Sequence, residues 1–310
     1  PIYVLGAQIN AFSEYLVTPQ QLEHATFPRL SALAERTWSP GSTRDFDSFV
    51  SRLEPQMGRY ARAGIAAADS AFAVDFTISG TRGDALRRGK VPVTLATQTG
   101  YGTIRYTLDG KEPTARSKTY AAPLSVKPGV TIRAAAFTTD GRPTAEPRLF
   151  ETSRAALLRR SSSELVACPD GAIGLRVPLT SEATANTPVF NVNIFDTCTM
   201  YPAAPLDVAR GFTVDVARLP RHYGLAHDEK ALRRHYAVTT YGELVVRTGG
   251  CDGTIAGTFP LPDPATSPNR MTFRGTLPQG KGDADICLTF TASMESPFYA
   301  VESMQLLEKK

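Results

Sequence analysis

The sequence predicts a multidomain, mainly β protein in which a short strand and helices precede two β-sandwiches. Three observations predict this class. The chain has 310 residues, and at roughly 100–200 residues per domain this length gives two or three domains. Apolar residues recur every three or four positions before about residue 73 and every second position after it. Short apolar runs then alternate with Gly, Pro, Asn and Asp to the end of the chain. We therefore expect domains over 1–68, 69–152 and 153–310.

The first segment begins with a strand. Residues 2–5 form an apolar run typical of a buried parallel strand, and Gly6 ends it. A loop then leads to a helix over residues 30–36, with Pro28 suited to its first position. One strand and two helices cannot close a core, so this segment needs the rest of a sheet.

A second helix follows in the same segment. Residues 46–60 carry apolar side chains at three- and four-residue steps. Thr43 or Asp45 can cap its start, and Gly64 can end it. Pro55 removes a backbone hydrogen bond inside this pattern, so we expect a kink or a break there.

The middle segment has the pattern of a small β-sandwich. Apolar and polar residues alternate over 91–95 and 104–107, and residues 130–136 supply a further inward face. Asp109 and Gly110 form a turn signal after the second run. This pattern predicts a sandwich of roughly 80 residues.

The last segment predicts a larger sandwich of jelly-roll type, because it holds many short strands. The candidate strands are residues 189–195, 212–217, 242–247, 271–277, 286–291 and 299–306. Alternation from Ile286 to Phe290 directs Ile286, Leu288 and Phe290 to the core and Cys287 away from it.

All four cysteines lie in the last segment: Cys168, Cys198, Cys251 and Cys287. The sequence has no Cys-Xaa-Xaa-Cys pair and no two histidines four residues apart, so we expect no metal site. An even number in one domain indicates two disulfides and an exported protein. Of three possible pairings we favour Cys168 with Cys198 and Cys251 with Cys287, and four buried free thiols are the alternative.

Composition and charge exclude several classes of protein. The chain is 42% hydrophobic and has a net charge of +4, which excludes disorder. The excess of positive charge lies in residues 69–152, which hold 12 basic and 8 acidic residues. These basic side chains are scattered along the segment, so they do not indicate nucleic-acid binding. No apolar run reaches about 18 residues, so we expect no membrane span. The first residues have neither an initiator Met nor a signal-peptide pattern, so we expect a piece of a longer protein.

Three stretches carry a resemblance to a known family. Residues 4–16 (VLGAQINAFSEYL) and 27–40 (FPRLSALAERTWSP) resemble the end of the catalytic barrel in family 20 glycoside hydrolases, the β-N-acetylhexosaminidases. The resemblance implies that residues 1–68 are the remnant of a (β/α)8 barrel, its last strand and helices. Residues 102–114 (GTIRYTLDGKEPT) resemble the immunoglobulin-like domain that follows the barrel in bacterial chitobiases and hexosaminidases.

The last segment is similar to a carbohydrate-binding-like β-sandwich at the C-terminus of some bacterial members of this family. The similar stretches are residues 163–168, 194–198, 242–244, 285–288 and 300–302. The resemblance thus covers nearly the whole chain and implies a secreted or periplasmic bacterial protein.

The resemblance implies a reaction but also shows what this sequence lacks. Members hydrolyse terminal β-linked N-acetylglucosamine or N-acetylgalactosamine without cofactor or metal, by substrate-assisted retaining catalysis. Their catalytic Asp-Glu pair lies in a His-Xaa-Gly-Gly-Asp-Glu motif, and this motif is absent here. The single Asp-Glu dipeptide, Asp228-Glu229, follows His227 far from the barrel-like segment and is expected in a solvated loop or helix start. We therefore expect the isolated chain to be inactive and to need the N-terminal part of the barrel as its partner.

Two residues match the sugar-binding loop of the family. Glu14 matches a Glu that accepts hydrogen bonds from the O4 and O6 hydroxyls of the sugar, and Phe12 stands where the family has a Trp that walls the sugar pocket. Phe12 keeps an apolar face but loses the indole N–H donor. The alternative is that Glu14 is an ordinary loop carboxylate and Phe12 a core residue.

Two other functions stay open from the sequence. The chain could be a non-catalytic module that binds chitin or peptidoglycan, or its sandwiches could serve only to brace the barrel. A glycan pull-down separates them: a binding module should retain chitin oligomers without cleaving them, whereas sandwiches that only brace the barrel should retain none.

Overall fold

The computed structural model describes most of the chain in ten stretches. They are residues 6–11, 16, 18–168, 174–180, 182, 184, 187–193, 195–220, 233–292 and 298–308. The predicted strand over 2–5 lies outside these residues. The chain divides into two compact units, Pro1–Ser79 with Lys90–Thr152, and Gly80–Gly89 with Ser153–Lys310. The division into three domains at residues 69 and 153 stays a prediction.

Helices occupy a small part of the chain. They are α1 (Pro19–Thr26), α2 (Arg29–Trp38), α3 (Phe46–Arg62), α4 (Arg82–Arg88) and α5 (Arg154–Leu157), with 3-10 turns at Gly41–Thr43 and Ser162–Glu164. None of the helices in the described part of the chain is long and apolar enough to cross a membrane.

Both units contain β-strands, seven in the described part of the first and eleven in that of the second. In the first unit they are β1 (Val74–Ile78), β2 (Val91–Thr97), β3 (Thr103–Thr107), β4 (Lys118–Thr119), β5 (Leu124–Val126), β6 (Thr131–Phe137) and β7 (Arg148–Glu151). In the second they are β8 (Arg159–Ser161), β9 (Val166–Ala167), β10 (Gly174–Pro178), β11 (Val189–Asn193), β12 (Cys198–Pro205), β13 (Ala209–Leu219), β14 (Glu243–Thr248), β15 (Thr254–Pro260), β16 (Arg270–Thr276), β17 (Asp283–Phe290) and β18 (Phe298–Glu308). The prediction of a mainly β chain with helices at its start is confirmed.

Helix α3 forms as its apolar pattern predicts, with one difference. The Asp45 side chain caps it by accepting a hydrogen bond from the Ser48 amide at 2.7 Å. At the other end, Gly64 has a φ of 73°, which lets the chain leave the helix. The helix runs through Pro55 without a break. A break at Pro55 is therefore ruled out, because packing of the apolar face outweighs the single backbone hydrogen bond that a proline removes, while a kink there stays a prediction.

The start of the first unit differs from expectation in two places. Helix α1 forms where the sequence predicts a loop. The sequence pattern does not reveal this helix because PQQLEHAT has no apolar stripe. Thr18 caps it by accepting a hydrogen bond from the Gln21 amide at 3.2 Å, and Pro19 occupies its first position. Pro28 stands at the cap of α2 and not inside its first turn.

The first unit has a sandwich of two antiparallel sheets, β1-β2-β5 and β4-β3-β6-β7. Stacked rings of Phe76 and Phe150, with centroids 5.3 Å apart, join the two sheets. Helix α3 packs on the sandwich because Val50 and Leu53 contact the fully buried Phe72. The helix and the sandwich therefore share one apolar core.

The second unit is a larger sandwich. A five-stranded sheet, β15-β14-β17-β12-β9, faces a four-stranded sheet, β16-β13-β18-β8, and β10 and β11 form a separate pair. Ring contacts between Phe212 and Phe259 and between Phe290 and Tyr299, with centroids 5.9 and 5.5 Å apart, join the two large sheets. All six predicted strands are present, while β8, β9, β10, β12 and β15 were not predicted.

Alternation along the five-stranded sheet gives it an inner and an outer face. Leu244 and Ile286 are fully buried on the inner face, between the sheets. Arg247 and Cys287, paired across β14 and β17, point to the outer face. This outer face carries the polar groups and the cysteines described next.

Candidate functional site

The residues that the family resemblance singles out are not placed by the structure. Phe12 and Glu14 lie outside the described residues, as do His227, Asp228 and Glu229. The sugar-binding role of Glu14 and Phe12 therefore stays a prediction, and so does the position of the Asp-Glu dipeptide.

The described part of the barrel-like segment presents a groove between α2 and α3. Trp38 ends α2 with 88% of its surface exposed and lines this groove. Arg52 on α3 donates two hydrogen bonds to the Glu35 carboxylate, at 3.1 and 2.8 Å, and these bonds hold the pKa of Glu35 below its ordinary value. This pair ties the two helices together and carries no catalytic geometry.

A polar cavity of about 200 Å³ lies on the outer face of the five-stranded sheet in the second unit. Asp196, which is 2% exposed, lines it. One oxygen of Asp196, Oδ1, lies 2.7 Å from Nε2 of His235. The other, Oδ2, lies 3.6 Å from Nη1 of Arg233 and has no hydrogen-bond partner among the described residues. A buried carboxylate oxygen without a hydrogen bond is rare in proteins, since it loses the solvation energy of water.

Local backbone contacts fix Asp196 in this position. The side chain of Asn193, at the end of β11, accepts hydrogen bonds from the amides of Phe195 and Asp196, at 3.1 and 3.3 Å. Arg233 donates its own amide to the Phe195 carbonyl at 2.7 Å. The turn between β11 and β12 is thereby tied to the segment that carries His235.

Outward-pointing strand residues form the rest of the cavity. Thr289, Thr291, Val245 and Arg247 line it together with Asp252 from the turn after β14. Arg247 donates to the Gly253 carbonyl at 3.0 Å, which orients the guanidinium beside this turn. Carboxylate, guanidinium and hydroxyl groups together suit a hydroxyl-rich ligand, and the volume suits one small ring.

A second cavity of about 330 Å³ is less suited to a polar ligand. It lies at the edge of the sandwich and is lined mainly by apolar groups of β9, β11 and β18, with Asn191 and Tyr299 among its polar residues. Burial raises the pKa of Tyr299, so its hydroxyl stays protonated.

The four cysteines come together next to the polar cavity. Cys168 is bonded to Cys198, and Cys251 to Cys287. The two bridges touch, because Sγ of Cys251 lies 3.7 Å from Sγ of Cys168. Met200 packs against the same cluster.

Sequence reasoning missed the polar cavity for a physical reason. Asp196 and His235 are 39 residues apart and belong to no local motif. Only the fold brings them into contact, and the single sequence signal was Asp196 within the stretch 194–198.

Two family models match the chain in the order that the resemblance predicts. Residues 2–41 match the catalytic domain of glycosyl hydrolase family 20, and residues 87–146 match the chitobiase/beta-hexosaminidase C-terminal domain. The predicted resemblance is therefore confirmed for these two segments.

Similar proteins match parts of the chain. A beta-hexosaminidase of Porphyromonas gingivalis is 35% identical over 122 residues, which are 39% of this chain and 15% of that protein. A family 6 carbohydrate-binding module is 15% identical, with 49% of this chain and 93% of the module covered and a TM-score of 0.32. A beta-1,3-glucan-binding module of the same family from Bacillus halodurans is 19% identical, with 48% and 93% covered and a TM-score of 0.32.

Proposed function

We propose that this chain is part of a β-N-acetylhexosaminidase that removes terminal β-linked N-acetylglucosamine or N-acetylgalactosamine. The observation that carries the proposal is the order of the two matched segments, supported by the similarity to a beta-hexosaminidase. In substrate-assisted retaining catalysis the 2-acetamido oxygen attacks the anomeric carbon while a Glu protonates the leaving oxygen and an Asp orients the acetamide. The motif that holds this pair is absent from the sequence, so another part of the barrel supplies it.

Within this proposal Glu14 and Phe12 complete the sugar pocket. The Glu14 carboxylate accepts hydrogen bonds from two sugar hydroxyls, and the Phe12 ring covers one face of the sugar. The two bridges among Cys168, Cys198, Cys251 and Cys287 support a secreted or periplasmic location, since disulfides persist in oxidising compartments.

The first test is an assay of the 310-residue chain on a chromogenic β-N-acetylglucosaminide, with its intact mass measured on the same sample. We expect no turnover, because the acid pair is missing. Turnover by a chain of confirmed mass would contradict this expectation, and Asp228 and Glu229 would then be the first residues to replace.

The second test uses a polypeptide that carries the acid pair upstream of residue 1. We expect it to hydrolyse the substrate, and we expect Glu14→Gln to lower its kcat/KM about 10- to 100-fold, the effect of losing a hydrogen bond to a charged group. Glu112→Gln is the matched control, because its carboxylate is 66% exposed. Absence of hydrolysis, or equal effects of the two variants, would overturn the proposal.

A second function, glycan binding by the second unit, is favoured by the polar cavity. Oδ2 of Asp196 is buried without a hydrogen bond among the described residues, and a sugar hydroxyl is a suitable donor to it. Arg247 and Thr289 line the same cavity and offer donors to the oxygen atoms of the ligand. We propose that the ligand is a glycan that contains N-acetylhexosamine, such as a chitin oligomer or peptidoglycan.

The test is calorimetric titration of the full chain with chitin oligomers and with soluble peptidoglycan fragments. We expect Asp196→Asn to weaken binding about tenfold, because the amide presents a donor where the carboxylate accepted. Glu302→Gln, in an ion pair with Arg270 on the other sheet, removes the same charge and should leave binding unchanged. No binding by the unmodified chain would favour a purely structural role for the two sandwiches.

A further inference from the structure

The four cysteines form one sulfur cluster although they are distant in the sequence. The members of each bridge are 30 and 36 residues apart. The fold places Cys168 beside β9, Cys198 on β12, Cys287 on β17 and Cys251 in the turn between β14 and β15. Adjacent strands thereby present all four side chains on the outer face of one sheet.

The positions of the sulfur atoms fit a second chemical state. The Sγ atoms of Cys168, Cys198 and Cys251 all lie within 4.8 Å of one another, and Cys251 and Cys168 are 3.7 Å apart. A tetrahedral tetrathiolate site has metal–sulfur bonds of about 2.3 Å, which puts its sulfur atoms about 3.8 Å apart. Cys287 lies outside this group of three, but its sulfur is bonded to that of Cys251 and its side chain packs in the same cluster, so it is the nearest fourth ligand.

The surroundings of the cluster suit a buried metal–thiolate centre. Cys168, Cys198 and Cys287 are at most 6% exposed, so water has little access to their sulfur atoms. Strand pairing fixes the backbone of β12 against β9 and β17 on either side. Arg247 lines the cavity that Cys198 and Cys251 border, and a positive charge there offsets the −2 charge of a tetrathiolate bound to a divalent ion.

We propose that the reduced chain binds one soft divalent cation of the Zn²⁺ class through Cys168, Cys198, Cys251 and Cys287. A trialkylphosphine reduces each disulfide by two electrons and leaves as its oxide, with an oxygen atom from water, and two thiols form. The metal then replaces one proton on each of the four sulfur atoms. The four cysteines therefore form two disulfides when oxidised and one metal site when reduced.

The test titrates the full chain, reduced with a trialkylphosphine under anaerobic conditions, with Co²⁺ and then with Zn²⁺. We expect one Co²⁺ per chain, with the charge-transfer and d–d absorption bands of a tetrahedral tetrathiolate, and displacement of Co²⁺ by Zn²⁺. Each Cys→Ser variant should bind Zn²⁺ at least about tenfold more weakly. Even the loss of a residue that only hydrogen-bonds to a metal ligand lowers metal affinity by this factor. Met200→Leu is the matched control, because Met200 packs on the cluster without joining a bridge.

Two further measurements keep the proposal falsifiable if reduction loosens the fold. The oxidised chain is expected to bind no Co²⁺ with this spectrum, and metal added to the reduced chain should restore any lost β-sheet circular dichroism. The proposal is overturned if the reduced chain shows no tetrathiolate spectrum, if fewer than four cysteines affect it, or if Zn²⁺ binds as tightly in concentrated urea.

Discussion

Phe72→Ala is expected to destabilise the first unit by about 3–5 kcal/mol, the usual cost of truncating a buried phenylalanine. The Phe72 side chain is 0% exposed and contacts Val50 and Leu53 of helix α3. It also meets the Tyr101 ring edge-on, with centroids 5.7 Å apart. The variant leaves a cavity in the core that α3 shares with the sandwich, and neither side can close it without moving its backbone.

The measurement is hydrogen exchange of the α3 amides as a function of urea, which reports the first unit separately from the second. Phe46→Ala is the matched control, because Phe46 lies on the same helix with 62% of its surface exposed and should change stability by less than about 0.5 kcal/mol. Equal losses of α3 protection in the two variants would show that Phe72 does not hold the helix on the sandwich.

The parts of this fold that were predictable from sequence are those set by neighbouring residues. Val91, Val93 and Leu95 alternate with Pro92 and Thr94, and all three are buried on β2 as that period requires. Helix α3 has an apolar stripe and a capping Asp45, and both act as expected. In each case the signal lies within a few residues of the structure that it determines.

The parts that were not predictable depend on contacts between distant residues. Helix α1 has no apolar stripe, and the Glu23 carboxylate at its centre accepts a hydrogen bond from the Ala66 amide, 43 residues away. The polar cavity depends likewise on Asp196 meeting His235. The predicted sugar-binding role of Glu14 rests on the family resemblance alone, because no local sequence pattern distinguishes a sugar-binding loop carboxylate from a solvated one.

Glu243→Gln is expected to destabilise the second unit by about 2–3 kcal/mol, because it disrupts a buried charged acceptor. The Glu243 carboxylate is 2% exposed and accepts hydrogen bonds from the amides of Val238 and Thr239 and from the Thr291 hydroxyl. Burial raises its pKa, but these donors outweigh burial and hold the pKa below the ordinary value of 4.5. A glutamine presents an NH₂ group to at least one of these donors and leaves that donor unsatisfied.

The same carboxylate predicts the direction of the pH dependence. Because the pKa of Glu243 is lower in the folded state, its contribution to stability is complete above the ordinary value of 4.5 and is lost as the pH falls through the folded-state pKa. Urea unfolding of the second unit, followed by hydrogen exchange at pH 7 and at steps below 4.5, should therefore show a shallower acid loss in Glu243→Gln than in the unmodified chain. Glu302→Gln, which breaks only the exposed pair with Arg270, should keep the original pH profile and lose at most about 0.5 kcal/mol. An unchanged acid profile in Glu243→Gln would mean that the charge of this buried group does not stabilise the turn before β14.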